Sequence, residues 1–235
     1  MDRIGPQRGG KVSTEKEQSR MSAIFSKKFD TTLRLAAVGV VLVLAVAGGI
    51  SAYLLHPKQL DTGYTPEQPV PYSHKQHAGN LGMDCYYCHS TVEKSAFAAV
   101  PATETCMNCH HRVKEKSPKL QLVRESYSTG RPIPWVKVHR LPDYVYFNHQ
   151  AHVTSGVSCV SCHGRVDQMV EVKQVQPLSM AWCLDCHRNP AANVRPAEFV
   201  TKLDWTPEGD PVDLGLKIIQ AKGIKPPTHC SGCHR

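Results

Sequence analysis

The chain has 235 residues, of which 41% are hydrophobic, 7% aromatic and 20% charged, with a formal net charge of +8 at pH 7. That length allows one or two domains, but few aromatics and 17 prolines exclude a large, self-sufficient apolar core and call for stabilisation by something other than side-chain packing. The positive charge nominates a nucleic-acid surface, a reading that depends on what the ten cysteines and thirteen histidines carry.

Taken from the N-terminus, residues 1–20 are polar and rich in Gly, Gln, Ser and Lys, which reads as a tail. Leu35 to Leu55 are 21 uncharged residues, and as a helix they span roughly 30 Å, the thickness of a bilayer core. Arg20, Lys27, Lys28 and Arg34 precede this run and only Lys58 follows closely, so the positive-inside rule places the N-terminus in the cytoplasm. The run continues past the small residues Ala45-Val46-Ala47, which favours a retained anchor over a cleaved secretory signal. Ala45 and Gly49 offer a neighbouring helix a close approach. The expected division is a cytoplasmic tail over 1–33, a transmembrane helix over 34–56, and a domain over 57–235 on the periplasmic side of a bacterial inner membrane.

Pro57, Pro66, Pro69 and Pro71 mark an extended connector. Beyond it, five Cys-x-x-Cys-His motifs use every cysteine: Cys85/Cys88/His89, Cys106/Cys109/His110, Cys159/Cys162/His163, Cys183/Cys186/His187 and Cys230/Cys233/His234. The motif is that of covalent c-type haem, with two thioethers to the vinyl groups and the adjacent His on the iron. A disulfide framework needs no His after each pair, and zinc sites group ligands in fours rather than in repeated trios. Five c-type haems bring ten propionates, which take the formal charge of +8 to about −2 with all irons ferrous and about +3 with all ferric. The basic residues therefore balance cofactor charge, and no nucleic-acid partner is expected. The fold class expected is mostly irregular chain with short α-helices at the motifs, forming a haem-cored multihaem cytochrome c domain behind one N-terminal transmembrane helix.

The chain repeats itself with a period of about 75 residues. Val70-Pro71-Tyr72-Ser73-His74-Lys75-Gln76-His77 matches Val145-Tyr146-Phe147-Asn148-His149-Gln150-Ala151-His152, and each stretch leads through Gly-x-x-Cys into two motifs. The unit is a dihaem repeat, at about 70–111 and 145–188, with a fifth motif added at 230–234.

The aromatic-x-His-x-x-His stretches resemble the class III multihaem cytochromes. That resemblance implies that His74 and His149 are distal ligands of the haems at Cys85 and Cys159, and that His77 and His152 reach other haems. Five bis-His irons need a fifth distal ligand. Eight histidines lie outside the motifs: His56, His74, His77, His111, His139, His149, His152 and His229. His139, directly ahead of the second repeat, is the expected fifth, with His111 as runner-up. His56 reads as an interfacial residue, and His229 abuts its own anchoring cysteine. Met83, Met107, Met169 and Met180 offer thioether alternatives but read as gap-fillers.

If protein ligands fill every iron, the domain passes electrons and binds no substrate. The anchor, the duplication, the stretch from Trp135 to Phe147 and the C-terminal fifth motif are together similar to the pentahaem cytochrome subunits of alternative complex III. The resemblance implies an electron-transfer subunit, not itself catalytic, of a quinol-oxidising respiratory complex. Its partners would be an iron-sulfur subunit, polytopic quinol-binding subunits, a monohaem cytochrome and a periplasmic electron acceptor or oxidase. Related quinone reductase complexes carry a similar cytochrome. The alternatives are a stand-alone membrane-anchored multihaem quinol dehydrogenase and, less favoured, a multihaem reductase with an open iron. The former would place its first motif nearer the membrane than 30 residues past Leu55. The C-terminal segment has no counterpart in the repeats. It is expected to form one short helix over Val212 to Lys222 that covers the fifth haem or, less favoured, docks on a partner.

Overall fold

The computed structural model describes residues 26–60 and 62–234; the part of the tail at 1–25 lies outside them. Two units separate, Met1–Leu54 and Leu55–Arg235. In the first, helix α1 runs Lys27–Leu54. It begins about two turns before the uncharged run because Asp30 sits in the first turn, where the helix dipole favours an anion, and pairs with Arg34 at 2.9 Å. The Ser26 hydroxyl accepts the Phe29 N–H. The helix ends before Pro57, whose ring disfavours α geometry in the preceding residue. No residue of α1 is buried within the protein, and its length and composition suffice to cross a membrane.

The second unit is built of short helices joined by irregular chain: α2 Pro57–Leu60, α3 Cys85–Cys88, α4 Thr103–His110, α5 Gln121–Thr129, α6 His149–Ser155, α7 Cys159–His163, α8 Met180–Arg188 and α9 Pro211–Lys222. A π-helical turn at Lys75–Asn80 and several 3-10 turns complete it. Among the described residues there is no strand, only isolated bridges between Val145 and His234 and between Val157 and Val194. The irregular, short-helical character expected from the sequence is what the chain adopts. The apolar residues buried among those described are Val70, Val92, Val123, Ala191, Val194 and Val200, too few to hold a domain of this length by packing alone.

Helix ends follow local chemistry. Asp84 caps α3 by accepting from Tyr86 N–H at 2.9 Å, and Asp210 caps α9 by accepting from Val212 N–H at 2.8 Å ahead of Pro211. Gly223, at φ +62, closes α9 in the left-handed conformation that L side chains avoid. The α9 helix matches the expected C-terminal helix in type and place. It packs on the turn that follows the fourth motif, so closely that a Cβ at Gly215 would strike the Ala191 carbonyl.

Candidate haem-binding sites

A one-turn helix explains the motif's spacing. Cysteines three apart and a histidine four on lie on one helical face, and α3, α4, α7 and α8 each carry one motif on such a turn. The fifth motif starts on a 3-10 turn at Cys230–Gly232. No disulfide joins any of the ten cysteines.

The thiols also report which motifs adjoin. Burial, then the Cys106 thiol, push Cys88 up. Cys85 and Cys159 interact, which holds Cys85 down and Cys159 well up. Burial, then Cys186 and Cys183, push Cys162 to about 11, and burial followed by Cys233 raises Cys183. The motifs thus adjoin in the order second, first, third, fourth, fifth.

Each repeat presents two histidines three residues apart, with an aromatic ring packed against both. Tyr72 lies 4.8 Å from His74, edge-on, and 4.5 Å from His77, stacked. Phe147 lies 4.7 Å from His149, edge-on, and 4.5 Å from His152. These histidines face the motif histidines in four pairs. His74 is parallel to His89 with ring centroids 6.5 Å apart, and His149 is parallel to His163 at 6.4 Å. His77 faces His110 at 6.1 Å and His152 faces His187 at 5.9 Å. Two imidazoles bonded to one ion through bonds of about 2 Å each place their centroids roughly 6 Å apart. The residues therefore fit a bis-imidazole iron in four places.

The outer ring nitrogens are held as metal ligands require. His89 Nδ1 donates to the Ala99 carbonyl at 3.1 Å, His110 to Val113 at 2.9 Å, His187 to Pro227 at 2.7 Å and His234 to Tyr144 at 3.2 Å. His77 donates to Ser73, His149 to Ala96 and His152 to Asn148, at 2.7–2.9 Å. This leaves Nε2 free in each. His74 Nδ1 is buried without a hydrogen-bond partner. Burial, followed by the His89 and His77 charges, lowers His74 to about 4; burial and then His139 lower His163 to about 3. Both rings are neutral near pH 7, the form that binds metal.

The remaining histidines are placed differently. His139, expected as the fifth distal ligand, lies against His163: its Nε2 is 3.3 Å from His163 Nδ1. The rings are edge-on at 4.3 Å. Among the described residues, the ring beside His234 is Tyr144, at 5.7 Å, and no second imidazole faces it. His111 bonds back to the Met107 carbonyl at 2.8 Å and lines a shallow groove with Glu104, Met107, Asn108 and Tyr127. His56 accepts the Lys58 N–H at 3.2 Å. The Tyr144 contact and the carbonyl acceptors went unread in the sequence, because no motif marks a backbone acceptor far along the chain.

Comparison with known proteins places this geometry. Residues 145–235 match the family described as cytochrome c7 and related cytochrome c. Over 98 residues, 41% of this chain, the sequence is 39% identical to the menaquinone reductase multihaem cytochrome c subunit of Nitratidesulfovibrio vulgaris. The match covers 46% of that protein, so the chain spans about half the length of the curated relative. Residues 145–235 are thus similar to cytochrome c7-type domains, a family with covalently bound c-type haem, and part of the chain is similar to a multihaem cytochrome c subunit.

Proposed function

We propose that this chain is the pentahaem electron-transfer subunit of a membrane respiratory complex of the alternative complex III type, which oxidises quinol and passes electrons to a periplasmic cytochrome or oxidase. The four facing imidazole pairs carry this reading. With an imidazole on either face, those four irons keep no position for a substrate. Haem supplies reversible one-electron chemistry at its iron.

The chain's own residues do the rest. The ten motif cysteines anchor the five haems. His89, His110, His163, His187 and His234 would each ligate one iron, and His74, His77, His149 and His152 would be the second ligands of four of them. Carbonyls at Ala99, Val113, Pro227 and Tyr144 keep a proton on Nδ1 and so aim Nε2 inward.

In this reading residues 1–33 are cytoplasmic, 34–56 cross the inner membrane once, and 57–235 stand on the periplasmic side. The quinone site belongs to polytopic partners, since one helix cannot enclose a quinone. The further partners are an iron-sulfur subunit and a monohaem cytochrome. The name of the Nitratidesulfovibrio relative supports contact with a menaquinone pool and favours one second reading, electron flow towards quinone.

Low-temperature EPR with a redox titration on the membrane-extracted protein, together with the mass of its partners, tests the proposal. At least four low-spin haems, one for each facing imidazole pair, in a multi-subunit assembly are expected. A substantial high-spin haem binding nitrite or cyanide, in a protein purified alone, would overturn it. Deleting 27–54 should leave haem potentials intact and release the domain from its complex, whereas a stand-alone dehydrogenase would lose quinol oxidation.

A further inference from the structure

Among the motif histidines, His163 differs in what holds its outer nitrogen. His89, His110, His187 and His234 each give Nδ1–H to a backbone carbonyl. His163 meets a side chain, His139 Nε2, at 3.3 Å. The tautomers follow from the pairing with His149. For His163 Nε2 to face inward as a ligand, its proton must sit on Nδ1, and His139 Nε2 must then accept it.

The chain fixes His139 for this contact. Three residues upstream, Val136 is clamped at both backbone groups by one side chain: its N–H donates to Gln68 Oε1 at 3.0 Å, and its carbonyl accepts from Gln68 Nε2 at 2.9 Å. An amide from the connector thus pins the segment that brings His139 to His163. Both rings are part-buried, which spares the bond from competition with water.

We propose that His139 is a positioning residue for the third haem, accepting the His163 Nδ1 proton so as to fix that ligand's tautomer and ring plane and to lower the reduction potential of that haem alone. The inference rests on the haem reading given above. Its physical basis is that an acceptor on the outer nitrogen increases the basicity of the bound imidazole and so favours the ferric iron. It also assigns His139 a role other than that of a distal iron ligand. A side-chain acceptor, unlike a carbonyl, can be replaced without breaking the backbone.

The test uses the full-length protein in its extracted complex, carrying His139→Leu or His139→Gln. Potentials come from a redox titration followed by EPR, and haem attachment from peptide mass at Cys159 and Cys162. His139→Leu is expected to move one of the five potentials upward and change one low-spin EPR signal, with no new high-spin signal. His139→Gln retains an acceptor and should restore part of the shift. Gln68→Ala, which loosens the segment without touching either ring, should give a smaller shift of the same sign; it serves as the second variant if His139→Leu does not assemble. A new high-spin signal in His139→Leu would overturn the inference by making His139 an axial ligand. Five unmoved potentials with the third haem attached would overturn it as well. A peptide lacking haem at Cys159 and Cys162 in the unaltered protein would instead sink the underlying haem reading.

Discussion

The two repeats reach the same inner geometry by different outer supports. In both, the first histidine of the pair lies parallel to the first motif's histidine, at 6.5 and 6.4 Å, with an aromatic ring packed against it. The first repeat presents its pair around a π-helical turn, with the Ser73 hydroxyl accepting the Gln76 N–H. The second uses the α-helix α6, capped by Asn148. His74 Nδ1 has no partner, whereas both the backbone N–H and the Nδ1 of His149 point to the Ala96 carbonyl of the first repeat. The first repeat is tied to distant chain at Met169 and Thr201, and the second at Ala96, His139 and Pro227. Duplication has kept the positions of the facing histidines and has let their supports diverge.

The largest effect should come from removing a motif at the centre of the array. The order second, first, third, fourth, fifth makes the third motif a junction. Cys159→Ser with Cys162→Ser should lose one of the five haems and separate the two ends electrically. Cys106→Ser with Cys109→Ser should lose the same haem absorbance and leave four connected. Haem stoichiometry and the kinetics of internal reduction distinguish these outcomes, and equal kinetics would break the order.

A smaller contrast separates the first-position histidines. His74→Ala and His149→Ala should each convert one low-spin haem to high-spin by EPR. His149→Ala should cost about 1 kcal/mol more in a denaturant titration, because it also removes a hydrogen bond between the repeats. Gly215→Ala tests a region that neither repeat supplies. The new Cβ would meet the Ala191 carbonyl, and overpacking of this kind costs about 1–3 kcal/mol, seen as a lowered Tm with unchanged haem spectra.

The smallest effect is expected at Arg165 and Asp167, on the turn beside Gly79 of the first repeat. Their 2.6 Å pair holds the Asp167 carboxyl below the ordinary carboxylate range, the Arg165 hydrogen bond being the largest cause. Because the folded value is the lower one, the pair's contribution is fully present above the unfolded pKa of about 3.9. It is lost as pH falls through the folded value. Asp167→Asn should cost under about 1 kcal/mol at pH 7, since the pair is partly exposed, and should flatten the acid limb of the stability profile.

How much of the site was legible can be judged residue by residue. His74, His77, His149 and His152 were nominated through their repeated pattern and resemblance, and the structure sets each opposite a motif histidine. His139 was nominated by position alone, ahead of the second repeat, and the structure turns it to His163. The start of α1 was missed because the hydropathy run begins at Leu35, whereas the Asp30–Arg34 pair carries the helix back to Lys27.

The sequence by itself determined the five anchoring trios, the duplication, the apolar helix and the scarcity of ordinary core, because each depends on neighbours within a few residues or on composition. Tertiary structure alone decided which imidazoles face one another, which motifs adjoin and what holds each outer nitrogen. Those contacts join residues 24, 40, 53 and 90 positions apart. A hydrogen bond across such a distance leaves no local spacing in the chain, because its partner is a carbonyl common to every residue or a ring brought near only by folding.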